Sequence, residues 1–325
     1  MEVYFSESLD KILNRFDFSA LGERVAIKAH FGEIGCVTYL KPELVRKVFD
    51  KIKAQGKNPT LVECNVLYKG SRVNASDHIK TAREHGFDMP IDILDGERGD
   101  EYLEIDGAKI GKGLENYDSF VVFSHFKGHS DAGFGGAIKN VGMGLGSRAG
   151  KLYMHSNIRP STDSEKCTGC GTCIASCNAE AITIVDGRAV IDQDKCEGCA
   201  MCISVCNFKA IKIPWHGRTS DGLQNKIAEY TKAVLSRFKN PIFINVLQNI
   251  TPLCDCMGVE QKPVMADVGF LASYDIVALD QASLDLANKY SQGQFDKINE
   301  VNKKGQIDWA EKYGLGSSQY KLVEL

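Results

Sequence analysis

The sequence has no excess of charge of either sign. Its 39 lysines and arginines face 42 aspartates and glutamates, a formal net charge of −3. Nothing global therefore draws it to nucleic acid or to anionic lipid. It also lacks a long apolar run. Pro241–Leu247 is among the longest, far short of the roughly 20 residues that span a bilayer. The stretch Met1–Asp10 carries acidic residues where a secretory leader needs basic ones. There is no G-x-x-x-x-G-K-S/T phosphate loop. These absences predict a cytoplasmic protein with no membrane and no nucleic-acid partner. Disorder is excluded as well, because 43% of the 325 residues are hydrophobic and 25% charged, ordinary globular composition with material for about two domains.

What the sequence has is cysteine, twelve in all. In a reducing compartment, clustered cysteines bind metal rather than form disulfides. Eight fall into two runs: Cys167-x2-Cys170-x2-Cys173-x3-Cys177 and Cys196-x2-Cys199-x2-Cys202-x3-Cys206. The surrounding residues repeat too, CTGCGTCIASCNAEAITI against CEGCAMCISVCNFKAIKI, so the segment is an internal duplication. Structural zinc uses separated Cys-x2-Cys pairs, not three evenly spaced cysteines followed by a fourth. Three thiols of one tight loop suit one iron–sulfur cube, and the fourth points to the cube of the other half. The expected ligand sets are therefore Cys167, Cys170, Cys173 and Cys206 for one 4Fe–4S cluster, and Cys196, Cys199, Cys202 and Cys177 for the other. Residues 163–214 resemble the bacterial two-cluster ferredoxins, with Asn178 and Asn207 where that family has proline. A redox partner protein (ferredoxin, flavodoxin or reductase) is the implied electron donor or acceptor.

On either side of the duplication, strand-like and helix-like runs alternate. Arg24–Ala29, Pro59–Val62, Ile91–Leu94, Phe120–Phe123 and Pro241–Leu247 read as strands; Pro42–Ala54, Ser76–His85 (Ser76 as N-cap), Gly222–Phe238 and Asp275–Tyr290 read as helices; Tyr320–Val323 suits a last strand. This alternation predicts an α/β fold: a mainly parallel-sheet body, residues 1–160 and 217–325, with an inserted ferredoxin-like α+β two-cluster module at 161–216. Periodicity leaves open whether the two flanks form one body or two lobes.

The most unusual stretch outside the cysteine runs is Ser124–His155. Eight glycines lie between Gly128 and Gly150, alongside His125, His129, His155, Lys127, Lys139, Arg148 and Lys151. It follows a predicted strand, where ligands bind in open α/β sheets. His129, Lys139, His155 and His125 are the candidate catalytic groups; Gly133, Gly135, Gly136, Lys127 and Arg148 are the candidate cofactor-binding residues. The glycines allow a tight turn into a helix whose N-terminal N–H groups favour an anion. A small anionic substrate follows from this, and a further metal or nucleotide-type cofactor is a second possibility. Gly144-Leu-Gly146-Ser-Arg-Ala149 fits a dinucleotide fingerprint but follows helix-like residues instead of a strand.

Other candidates are weaker. Cys254 and Cys256 flank Asp255, and alternate residues of an extended segment point the same way, so both sulfurs could reach one metal or form a redox pair. His30, Glu33, Cys36, Glu63 and Cys64 sit at predicted strand ends. Asp267, Ser273, Asp275 and Asp280 lie around the start of the last long helix; capping and solvation are the alternative to a site there, and capping is the expected role of Asp275. Trp215-His216 marks the packing edge of the insert.

The segments SHFKGHSDAGFGGAIKNVGMG (124–144), RAGKLYMH (148–155), TPLCDC (251–256) and DVGFLASYDIVALDQASLDL (267–286) resemble the family called domain of unknown function 362, whose members often carry a ferredoxin insert. That resemblance implies one family body around the insert. His129-x3-Gly133-Phe134-x-Gly136-x2-Lys139 is also similar to a segment of the nickel-dependent lactate racemase family. That second likeness implies a cofactor contact for Lys139, an acid/base role for His129, and a metal-ligand or second acid/base role for His155. Three functional readings result: an iron–sulfur oxidoreductase, an electron-transfer or assembly protein that docks a partner enzyme, and a non-redox isomerase whose clusters are structural.

Overall fold

The computed structural model describes residues 1–215 and 217–325, so His216 lies outside the described residues. In chain order, the first half of the body comprises β1 (Glu2–Ser6), α1 (Leu9–Arg15), β2 (Arg24–Lys28), α2 (Pro42–Lys53), β3 (Asn58–Glu63), α3 (Ala75–Glu84) and β4 (Ile91–Ile93). A hairpin of β5 (Tyr102–Ile105) and β6 (Ala108–Gly111) leads to β7 (Ser119–His125), then to a second hairpin, β8 (Lys127–His129) and β9 (Gly133–Gly135), and to α4 (Ala137–Leu145) and α5 (Arg148–His155). The insert holds β10 (Ser161–Thr162), α6 (Thr172–Ala175), β11 (Ile182–Val185), β12 (Arg188–Ile191), α7 (Met201–Val205) and β13 (Ile211–Lys212). The chain returns to the body through α8 (Ser220–Leu235), β14 (Ile242–Leu247), β15 (Gly269–Ser273), α9 (Ile276–Tyr290), α10 (Gly305–Lys312) and β16 (Lys321–Glu324).

One eight-stranded sheet carries the body, in the order β16-β1-β15-β14-β7-β2-β3-β4. Only β15 runs against its neighbours; all other pairings are parallel. The α/β class expected from the alternation is the class observed, and strands from before and after the insert share the sheet. Successive residues of a strand face opposite sides, and each side has its own core. Val121 and Phe123 of β7 join Val48, Phe49 and Ile52 of α2 on one side. Phe120 and Val122 meet Val141 of α4 and Ile227 of α8 on the other. With helices on both faces, β2 is flanked by β3 on one side and by β7 on the other. The direction of winding thus reverses between β2 and β7, and that switch point is where a doubly wound sheet opens a crevice at its carboxyl edge.

The element ends show where side-chain chemistry refines periodicity. Helix α3 starts one residue earlier than expected. Its N-cap is Asn74, whose side chain accepts from Asp77 N–H at 2.8 Å; Ser76 instead donates its hydroxyl to Glu97. Asp275 caps α9 as expected, accepting from Val277 and Ala278 N–H, both at 2.9 Å. Two sheet members, β1 and β15, have no counterpart in the sequence reading. Among the described residues no helix is long and apolar enough to cross a membrane.

The insert is tied off at its base by β10 pairing with β13. Its core is small and partly sulfur: Cys167, Cys173 and Cys202 are each 9% exposed and pack with Ile182, Ile191 and Ile203. Leu67 and Leu152 of the body join that core.

Candidate functional site

A cavity of about 570 Å3 opens at the carboxyl edge of the sheet, around the switch point. Residues just past β2, β3 and β7 reach it (His30, Cys64, Lys127), together with Glu63, the last residue of β3, Lys139 of α4, Lys151 and His155 of α5, and Cys254 and Cys256 from the loop after β14. Val66, Leu67, Met143 and Leu223 supply apolar wall.

Two imidazoles in this cavity are held in opposite tautomers. His30 Nδ1 lies 3.0 Å from the Glu63 carboxylate. Arg72 Nη1, a donor only, lies 3.3 Å from the same nitrogen; the closer carboxylate favours the proton on Nδ1 and the lone pair on Nε2, which has no hydrogen-bond partner among the described residues. Glu63 is fixed in turn by Lys28 Nζ at 3.0 Å, and Lys28 also donates to Asn140 Oδ1 at 2.6 Å. Burial opposes ionisation of Glu63, yet Lys28 and His30 hold its carboxyl well below the usual range. Burial, then Arg72, keeps His30 neutral. At His129 the situation is reversed. Its Nδ1 accepts from the N–H groups of Asp131 and Ala132, both at 3.1 Å, so the neutral ring carries its proton on Nε2. Burial, then Lys139, pushes its pKa down to about 3. In this form His129 offers the cavity an Nε2–H donor.

The segment Cys254-Asp255-Cys256 is anchored by its middle residue. Asp255 is 0% exposed. Its carboxylate lies 2.9 Å from His125 Nδ1 and 3.0 Å from Lys127 Nζ. Against the penalty of burial, these two groups hold the carboxyl far below its ordinary value. The backbone is tied as well: Glu33 N–H donates to Asp255 O at 3.0 Å, and Tyr68 OH to Cys256 O at 3.0 Å. Gly128 lets the segment approach, because a Cβ there would sit 2.3 Å from Pro252 O. With Asp255 turned inward, the flanking thiols face the cavity. Cys256, with Lys139, Lys127 and His129, pulls the Cys254 thiol down, while Cys254 and burial push Cys256 up.

His129, Lys139 and His155 all line the cavity, with Gly135, Gly136 and Lys127. His155 stacks edge-on against Trp215 at 4.9 Å. Four other expectations are corrected. His125 is not in the cavity wall: its two ring nitrogens contact Asp255 and Gln248 O, which makes it a brace for the cysteine segment. Arg148 is fully buried and donates to Arg98, Val66 and Val73 carbonyls, a structural clamp outside the cavity lining. Gly133 sits in a positive-φ turn against Lys303, outside the cavity. The N-terminus of α4 is not open to a substrate anion, because Asp280 accepts from Ala137 and Ile138 N–H at 2.8 and 2.9 Å. Burial raises that carboxyl to about 6. The dinucleotide-like run fails on the same physical ground: Gly144 lies in α4 and makes room for Lys28, and Gly146 for Met154. Sequence reasoning missed Lys28, Arg72 and Asn140. No local pattern marks them, since each gains its role from a partner at least 35 residues away in sequence.

In the insert, two small cavities divide the eight cysteines. Cys167, Cys170, Cys173 and Cys206 line one; Cys177, Cys196, Cys199 and Cys202 line the other. The fourth cysteine of each run has crossed to the other half. Each quartet surrounds a space rather than a point: among the described residues no three histidine, cysteine or carboxylate side chains close around a single ion. The second quartet is the inner one, bordered by Pro160 and near enough to feel the charge of Arg148 through Cys199. Burial and the neighbouring sulfurs push Cys202 up to about 12, so this quartet is uncomfortable as bare thiolates.

No curated protein matches the chain. Among solved structures it is similar to the lactate racemase apoprotein from Thermoanaerobacterium thermosaccharolyticum, with 12% identity over 62% of this chain and 48% of that one and a TM-score of 0.34. The chain spans about half the length of that protein, and so slight a likeness leaves the site to be read from its own side chains. The family described as Domain of unknown function (DUF362) matches residues 25–285, most of the body and all of the insert. The chain belongs to that family.

Proposed function

We propose that the protein is an iron–sulfur oxidoreductase acting on a small anionic molecule in the switch-point cavity. The observation that carries this is the sorting of eight cysteines into two crossed quartets, each around its own cavity. Thiolate donors spread around a space fit a cube of four irons; a tetrahedral zinc ion, with bonds of roughly 2.3 Å, draws four sulfurs together. Cys167, Cys170, Cys173 and Cys206 would hold one 4Fe–4S cluster, and Cys177, Cys196, Cys199 and Cys202 the other. When bound, such clusters supply or take up single electrons.

The chain's own residues do the rest. Leu67 packs in the insert's core and lines the cavity, and Leu152 joins the same core from α5, which also carries Lys151 and His155. The insert's core therefore adjoins the cavity wall. Lys139 has no ion-pair partner among the described residues, and its charge reaches Cys254 and His129. It is the group to neutralise a substrate anion. His129 Nε2–H steadies developing negative charge on oxygen, and His30, oriented by Glu63, accepts a proton at Nε2. The test is turnover of candidate carboxylic acids by anaerobically prepared protein with a one-electron dye. Dye oxidation or reduction that depends on both the acid and Lys139 supports the proposal; dye chemistry indifferent to every acid contradicts it.

The opposed tautomers of His30 and His129 favour a second reading, in which the cavity only moves a proton and the insert is structural. Solvent deuterium entering an acid with no electron carrier present would select that reading.

A further inference from the structure

The cysteine pair of the cavity has no part in the proton chemistry just described, yet it is the most elaborately held group there. Asp255 is locked by His125 and Lys127, the carbonyls on both sides of it are tied or folded into a turn, and Met257 N–H donates back to Cys254 O at 3.0 Å. Cys254 is extended and Asp255–Met257 forms a 3-10 turn, which folds Cys256 back toward Cys254. Both sulfurs are unbridged, face the same space and touch no third metal-binding side chain among the described residues. Cys254 is buried and Cys256 half-buried, and the two thiols share one wall of the cavity.

We propose that Cys254 and Cys256 form a reversible dithiol–disulfide couple that stores two electrons beside the substrate. Closing the Sγ–Sγ bond oxidises both sulfurs: two electrons leave, together with the one proton the pair shares. Opening it takes up two electrons, breaks the Sγ–Sγ bond and returns the proton to Cys256, leaving Cys254 as the thiolate beside Lys139. The substrate class follows as a two-electron acceptor with an anionic group for Lys139 and a bond the Cys254 thiolate can attack, such as the disulfide or sulfur–oxygen bond of a small acid. The couple stands on the geometry of the body; only its electron supply, from a one-electron carrier through the insert, rests on the iron–sulfur reading above. Two single-electron deliveries fill one disulfide, which is what a two-electron store beside a one-electron module would do.

The experiment uses the anaerobic holoprotein. It is oxidised with diamide, alkylated with iodoacetamide, digested, and the peptide containing residues 254–256 is weighed. The couple predicts a peptide lighter by two hydrogens and free of label, which gains two labels after dithiothreitol. Cys254→Ser and Cys256→Ser should each abolish the cross-link while the remaining thiol becomes alkylatable. Two alkylatable thiols after diamide, or a bound zinc ion that shields both sulfurs, overturns the couple. The second arm adds reduced methyl viologen, a one-electron donor, to the oxidised protein and to its Cys202→Ser variant. Reopening in the first and not in the second supports supply through the insert. Equal reopening in both contradicts the iron–sulfur reading while leaving the couple intact, and dithiothreitol opens the bond in either protein, so the variant's condition is controlled.

Discussion

The insert and the body solve the problem of a core differently. The body buries two broad apolar layers, one on each side of the sheet, and would keep them with its cavity empty. The insert has few apolar residues to bury. Three of its buried core positions are cysteines, and Val185, Val190 and Phe208 are left 50%, 47% and 48% exposed. The comparison predicts a difference in dependence: if the thiols hold the proposed clusters, the insert's fold should rely on them, whereas the body has its apolar layers without any occupant of its cavity.

The sharpest break of that comparison is metal removal. Chelation of the reduced protein should strip amide protection from residues 161–212 and leave β2, β7 and β14 protected, as read by hydrogen exchange. Uniform loss across both regions would refute the division. Next in size is Asp255→Ala, which leaves His125 and Lys127 buried without their counter-charge. A loss of about 3–5 kcal/mol is expected, measured as a denaturant midpoint, although the variant removes no apolar contact. The sign of the pH effect follows from the depressed Asp255 carboxyl. Its contribution is present above the unfolded value of about 3.9 and drains away as pH falls toward the lower folded value. Wild type should therefore lose stability below about pH 4 more steeply than the variant.

How much of this was legible in sequence follows the same division. The insert writes its pattern locally: short spacing and a duplicated run suggest two groups of four cysteines, and two small cavities are each lined by four of them. The body writes its chemistry across the fold. His129, Lys139 and His155 could be proposed because they crowd one segment. Lys28 could not, since it looks like any charged end of a strand until Glu63 and Asn140 meet it. His125 and Arg148 misled for the converse reason. Histidine and arginine in a glycine-rich run read as ligand groups, yet burial against Asp255 and three backbone carbonyls turns both into braces. Strands β1 and β15 go unread although the shorter β4 and β16 are read, so strand length does not account for the omission.

A smaller effect sharpens the body's side of the comparison. Gly142→Ala in α4 would place a Cβ 2.2 Å from Ile227 O of α8, and overpacking of that kind costs about 1–3 kcal/mol. The visible absorbance of the proposed clusters should be unchanged in the purified variant. The smallest effect on stability is expected from Lys139→Ala, within about 0.5 kcal/mol, because its ammonium has no ion-pair partner to lose among the described residues. Binding of an anionic substrate should nevertheless disappear, checked by calorimetry with acids that bind wild type.

The most direct test of the central claim is iron and acid-labile sulfide content of anaerobically purified protein, with electron paramagnetic resonance after reduction. Two crossed quartets predict about eight irons and eight sulfides per chain and two interacting low-potential signals. Stoichiometric zinc, or no metal with all eight cysteines alkylatable in a folded insert, would contradict it.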